Sequence, residues 1–406
     1  MKFDLYFWPI REQAWVLSWG LKNAMQEKGV LNKFGNIENW TDASKIPHLL
    51  NTTADVILFV GFEHFRGKIP SKLIKHNKAK IACWTYESLT DPYGAKSWAE
   101  AVPNHFLSKS PDFKNGFTVV QPKDFGYFDC IDVFFCADEL DFYRLKDEGR
   151  NAFWLPFGVD AGIFQPDSRL VLQEKNHKVE FSNPRQTLIE KAKIKYGTRY
   201  GIRSGRSGRA ATKNAQRAVR SNKLIPGKRF FPTGAFIGTK SNVRINILGR
   251  MGVDLSLFQT PRKGSFGDPA KAAEHTRNLA RAYNSYMISV NLRSIFAGVT
   301  PRATESMACG RTLFQYLCPP DRPLSRKMLT NCVKYEVLSN NGLRAFKEKY
   351  RYFINHPQDA TAMGNKARAE ILHGHTLGHR VHTMVEKLSK VKKAPPKAQK
   401  AKDTSK

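Results

Sequence analysis

Apolar runs of strand length recur along the first 166 residues and alternate with stretches of helical pattern. Phe3–Phe7, Ala54–Gly61, Lys80–Tyr86 and Ile131–Cys136 are rich in β-branched and aromatic residues. Near-continuous runs of this kind predict strands buried on both faces. Glu12 to Lys28, after the first strand, and Asp138 to Glu148, after the fourth, read as helices, stopped by Gly29 and Gly149. Glycine is the residue that most easily takes the left-handed backbone ending a helix. Strands separated by helices predict a parallel sheet covered on both faces.

A second series opens near Ala235–Gly238. It continues as a helix (Val243–Arg250), a strand (Val253–Phe258), a helix (Pro269–Asn284), a strand (Met287–Leu292), a helix after Thr300 and a strand (Thr312–Leu317). The sequence therefore predicts an α/β protein with Rossmann-like domains at 1–166 and 233–388. A basic insertion occupies 167–232, and a Lys-rich tail, 389–406, has the composition of a disordered segment. A chain of 406 residues is long enough for two separate cores.

Charge is distributed very unevenly. The formal net charge is +31. Lys175 to Arg229 carries a net +14 and Lys387 to Lys406 a net +7, together about two thirds of the excess. From Lys191 to Arg229 there are 13 cations and no acidic residue: Lys191, Lys193, Lys195, Arg199, Arg203, Arg206, Arg209, Lys213, Arg217 and Arg220, then Lys223, Lys228 and Arg229. Tyr196 and Tyr200 lie among them as stacking groups. This pattern argues against an enzyme acting only on small neutral substrates and points to a polyanion, either nucleic acid or an anionic lipid surface. The N-terminus lacks a signal-peptide layout, and the longest apolar run, Val56–Phe62, is far short of a membrane span. Six cysteines without a C-x-x-C pair read as reduced thiols. The expectation is a soluble cytoplasmic monomer without membrane insertion.

Two motif matches fail on inspection. Gly61–Ile69 imitates a phosphate loop, but its spacer is one residue too long and Ile69 replaces the Ser or Thr that would hold magnesium. His375 and His379 have the spacing of one helical turn, but no Glu lies between them as in H-E-x-x-H, so the reading is a solvated or capping role without metal. A stronger signal is Asn291–Gly310. There a strand ends, a loop with Gly298 follows, and Thr300-Pro301 opens a helix as N-cap and first-turn proline. The open N–H groups of such a helix suit a pyrophosphate, and Arg302 in the first turn adds a bidentate contact. Glu305, three positions on, can accept hydrogen bonds from the two hydroxyls of a ribose. Spacing alone is equally compatible with an exposed ion pair between Arg302 and Glu305.

The region from Ala235 to about Glu386 resembles the C-terminal domain of spore-maturation-protein-type glycosyltransferases, members of the two-domain GT-B class. The likeness rests on Phe236-Ile237-Gly238 with Arg244, Leu248 and Gly252–Leu255, on Thr300-Pro301-Arg302 through Glu305 to Ala308-Cys309-Gly310, and on His375-Thr376 with Arg380. Phe153–Asp160 followed by Phe164-Gln165-Pro166 is similar to the crossover between the two domains. The resemblance implies two Rossmann-like domains facing across a cleft. It also implies a nucleotide-sugar donor, UDP-linked, bound near Gly238, Gly298, Thr300, Arg302 and Glu305, with no metal and no resident cofactor.

The acceptor would lie on the first domain, where Glu87 and Asp91 follow a strand's C-terminal end. Either can serve as a base, and Asp91-Pro92 is equally ordinary turn sequence. Some bacteriophages glycosylate hydroxymethylated pyrimidines in their own DNA with GT-B enzymes, and the chain resembles such an enzyme. This makes duplex DNA the expected partner and a bacterial host cytoplasm the expected location. A cell-wall, spore-coat or lipid acceptor at an anionic membrane, or a binding protein that has lost transfer, remain the alternatives at this stage.

Overall fold

The computed structural model describes residues 1–7, 12–36, 51–61, 78–85, 131–167, 231–238, 242–257, 269–292, 298–318, 320–337 and 339–393. The chain divides into two compact units: Met1–Pro166 together with Phe231–Lys406, and Asp167–Phe230. Of the latter, only Asp167 is among the described residues.

The first sheet has six parallel strands in the order β2-β1-β3-β4-β5-β6. They are β1 (Phe3–Phe7), β2 (Leu31–Asn36), β3 (Val56–Val60), β4 (Lys80–Thr85), β5 (Val133–Cys136) and β6 (Ala152–Trp154). Every residue of β1, β3 and β5 is buried, as the unbroken apolar runs predict. Helix α1 (Glu12–Glu27) follows β1 and α2 (Glu139–Asp147) follows β5. Gly29 and Gly149 take φ of +64° and +74° just past these helices, a conformation strained for any other residue.

The second sheet is also parallel, in the order β11-β10-β9-β7-β8. Its strands are β7 (Phe231–Gly238), β8 (Asp254–Leu257), β9 (Tyr286–Asn291), β10 (Thr312–Tyr316) and β11 (Val333–Tyr335). The helices are α3 (Asn242–Met251), α4 (Pro269–Asn284), α5 (Pro301–Ala308), α6 (Pro323–Met328), α7 (Asn340–Asn355), α8 (Pro357–Gly374) and α9 (Leu377–Lys390). Alternation along β10 shows how both faces are filled. Leu313 joins the core with Ala303 and Met307 of α5 and Ile371 of α8. Phe314 turns the other way, with edge-on contacts to Phe346, Tyr350 and Phe353 of α7. The α/β class with two parallel sheets is thus the one read from the sequence.

Helix α9 departs from the boundary drawn along the chain. Its apolar stripe, Leu377, Val381, Met384 and Leu388, packs into the core of the first sheet with Leu17, Leu21 and Met25 of α1. The chain thus crosses to the second sheet near 155–166 and returns at 374–377. The two crossings meet where Val159 N–H donates to the His375 carbonyl at 3.1 Å and Leu377 N–H to the Val159 carbonyl at 2.9 Å. The first residues of the Lys-rich tail, expected to be disordered, are held. Lys390 ends α9, Val391 is buried, and Lys393 Nζ donates to the Ala79 carbonyl at 2.9 Å. Residues 394–406 lie outside the described residues.

Candidate functional site

Ligands of parallel sheets gather at the C-terminal strand ends. In the second sheet these ends bring together Gly238 of β7, Asn291 of β9 and Gln315 of β10, with the N-terminus of α5 beside them. Asn291 is the hub. Its Nδ2 donates to Gln315 Oε1 at 2.8 Å, and its Oδ1 accepts from Thr300 Oγ1 at 3.0 Å and from Arg302 Nε at 3.2 Å. Its carbonyl accepts from the Tyr335 hydroxyl at 3.1 Å. A buried amide with this many partners is fixed in one orientation, and it fixes Arg302 in turn.

The structure places Thr300 at the N-cap of α5 with Pro301 behind it, as expected from the sequence. Its hydroxyl, however, makes no cap and donates to Asn291 instead. Arg302 sits in the first helical turn with its guanidinium 5.0 Å from the Phe236 ring centroid. A cation at a helix N-terminus opposes the helix dipole, so the two positive ends converge on one spot suited to an anion. Gly238 belongs to this spot. A Cβ there would lie 2.9 Å from Phe236 Cε1 and 3.9 Å from Arg302 Cδ, so a side chain would press on the ring that supports the guanidinium. Gly298 lies at the loop before α5, where a Cβ would come within 2.6 Å of Ser325 Cβ and 3.3 Å of Arg322 Cδ.

The reading of Arg302 and Glu305 as an exposed ion pair does not hold: they are only 8% and 6% exposed. Glu305 Oε2 accepts a 2.8 Å hydrogen bond from the Tyr283 hydroxyl of α4. Burial, then the neighbouring Glu305 charge, holds the Tyr283 phenol well above its ordinary range, so it remains a donor. Neither Asn291 nor Tyr283 was singled out from the sequence as a site residue. Burial also pushes the Cys309 thiol, at the end of α5, up to about 12, so it stays protonated and poorly nucleophilic.

Other expected site residues fall outside the described residues: Glu87, Asp91 and the ten cations from Lys191 to Arg220; so does the rejected phosphate-loop stretch Gly61–Ile69, except Gly61. His375 and His379 do not share a helix, because α8 ends at Gly374 and α9 begins at Leu377. His375 Nδ1 lies 3.0 Å from Arg380 Nη2, and His379 Nδ1 lies 2.6 Å from Thr376 Oγ1, which also caps α9. Among the described residues no group of three or more His, Cys, Asp or Glu is arranged to hold a metal ion, and no helix is long and apolar enough to cross a membrane.

The chain aligns over 96% of its length with all of HepE from Anabaena bound to UDP, at 10% identity and a TM-score of 0.48. A glycosyltransferase from Rickettsia africae aligns over 95% of this chain and 97% of its own, at 10% identity and a TM-score of 0.45. An α-glucosyltransferase in complex with UDP and a 13-mer DNA containing an HMU base aligns over 96% of this chain and 100% of its own, at 8% identity and a TM-score of 0.45. No curated protein matches the sequence. Residues 236–386, the stretch from β7 to α9 that carries Gly238, Arg302 and Glu305, match the glycosyl transferase-like family, and it is to this family that this part of the chain is similar.

Proposed function

We propose that the chain is a metal-independent glycosyltransferase of the spore-maturation-protein type, transferring a hexose or pentose from a UDP-sugar to a hydroxyl on a hydroxymethylated pyrimidine in phage DNA. The observation that carries the donor half is the buried Arg302 guanidinium, braced by Asn291 and Phe236 at the uncapped start of α5. In this reading the diphosphate lies against Arg302 and the α5 N–H groups, and Glu305 accepts from the ribose hydroxyls. The acceptor oxygen attacks the anomeric carbon, the bond from that carbon to the diphosphate oxygen breaks, and UDP leaves with the electron pair. Charge developing on the diphosphate is met by donors already in place, which lowers the barrier without reorganisation. Glu87 or Asp91 takes the acceptor proton.

The acceptor half rests on charge. The 13 cations from Lys191 to Arg229, uninterrupted by an acid, suit phosphates held without reading sequence. A target base would have to leave the stack to present its hydroxyl. The second reading, an acceptor at an anionic membrane, draws on the same charge.

The donor assignment is tested by titrating the protein calorimetrically with UDP. Replacing Arg302 with Ala removes charged hydrogen bonds of about 1.5–3 kcal/mol each, so affinity should fall by about ten- to hundredfold while the melting temperature changes little. Equal affinity in both proteins would remove Arg302 from the donor site.

A further inference from the structure

We propose that Tyr283 is a positioning residue that makes the site select ribonucleotides over 2′-deoxyribonucleotides, by fixing the carboxylate of Glu305; this rests on the donor reading above. A carboxylate discriminates a hydroxyl from a hydrogen only if it is held where that hydroxyl arrives, because a mobile one relaxes toward other donors. Tyr283 supplies that restraint. Its hydroxyl donates to Glu305 Oε2 at 2.8 Å, and its ring is 1% exposed, leaving it no room for another rotamer.

The support continues behind the ring. Phe164, on the crossover from the first sheet, packs edge-on against Tyr283 with centroids 6.2 Å apart. The next residue on α4, Asn284, donates through Nδ2 to the Gln165 carbonyl at 2.9 Å, which ties this end of the helix to the same crossover. The backbone of Glu305 is held within α5, where Cys309 N–H donates to its main-chain carbonyl at 3.2 Å, and Tyr283 holds its carboxylate. Burial keeps the phenol protonated throughout the working pH range, so it donates whenever Glu305 is ionised. An enzyme acting on DNA would meet deoxynucleotides at its substrate, which gives such selectivity a use.

Tyr283→Phe deletes the hydroxyl and keeps the ring, so the core is preserved. The measurement is the affinity for UDP and for 2′-deoxy-UDP by calorimetry, in wild type, Tyr283→Phe and Glu305→Gln, with melting temperature as the control on folding. Wild type should prefer UDP. Tyr283→Phe should weaken UDP binding by up to about ten- to hundredfold, the worth of the 2′-hydroxyl's hydrogen bond to a Glu305 carboxylate that is no longer held in place, and change 2′-deoxy-UDP binding far less. The ratio of the two affinities is the deciding readout, because a merely structural role for Tyr283 would weaken both nucleotides alike. A wild-type ratio in Tyr283→Phe, with Glu305→Gln impaired, would overturn the role of Tyr283 alone. Failure of the wild type to bind any nucleoside diphosphate would overturn the donor reading together with it.

Discussion

Arg380 lies 6% exposed at the meeting of the two crossings, and its donors reach backbone carbonyls. Nε reaches Pro156 at 2.7 Å, Nη2 reaches Phe157 at 3.2 Å and Nη1 reaches Gly374 at 3.1 Å. Nη2 also faces His375 Nδ1, which acts as an acceptor only while the imidazole is neutral. Burial, then the Arg380 charge, lowers the His375 pKa to about 4, from an ordinary value near 6.5. The unfolded chain therefore takes up this proton first as pH falls. Stability from the neutral imidazole is complete above pH 6.5 and lost as pH drops to about 4. Urea unfolding at stepped pH should show that loss, about 2 kcal/mol after discounting for partial exposure, and His375→Gln should remove most of it. At this scale the sequence was partly legible. Arg302 and Glu305 were readable because three residues of helix put them on one face. Asn291 and Tyr283 were not, because they reach these side chains across 11 and 22 residues through the packing of β9 and α4.

Among the helices, α6 is held by an acid from α2, the helix that follows β5 of the first sheet. Glu139, fully buried in the first turn of α2, accepts from Leu324 N–H at 2.8 Å and Ser325 N–H at 2.7 Å, the open donors of α6. Beside it Asp138 caps α2 through Leu140 N–H and pairs with buried Arg322 at 3.4 Å. Both contacts join the end of β5 to the segment after β10, next to Ser325 and Gly298. Glu139→Ala leaves the buried Ser325 N–H and the partly buried Leu324 N–H without their acceptor and should cost about 1–3 kcal/mol in chemical denaturation. Glu139→Ser, too short to reach α6, should cost as much. Capping of this kind is invisible in sequence, since the partners lie 185 and 186 residues apart. Strand β2 was missed for a related reason. Leu31–Asn36 has no apolar run, and it is an edge strand held by its partner β1, by Asn32 donating to Asp4 at 2.8 Å, and by Phe34 stacked on Phe7 at 5.2 Å. Strands buried on both faces were legible because their composition alone excludes other states.

Across the whole molecule, chemistry and charge occupy different stretches of sequence. The stretch similar to the glycosyl transferase-like family, 236–386, carries the donor candidates, while about two thirds of the net charge lies in Lys175–Arg229 and Lys387–Lys406. Under the proposed function, this excess serves the phosphates of the acceptor rather than the donor. Alternation of strands and helices made the two-sheet architecture readable, but not the return of α9 to the first sheet. Connectivity assigns that helix to its chain neighbours, and only the match of its apolar stripe to α1 assigns it elsewhere. The most direct test is mass spectrometry of nucleosides from duplex DNA containing hydroxymethylated pyrimidines, incubated with the protein and a panel of nucleotide sugars. The account predicts a hydroxymethylpyrimidine nucleoside heavier by one hexose or pentose, dependent on a UDP-sugar and lost in Arg302→Ala. Unmodified nucleosides with every donor, while anionic lipid or polysaccharide acceptors gain sugar under the same conditions, would contradict it.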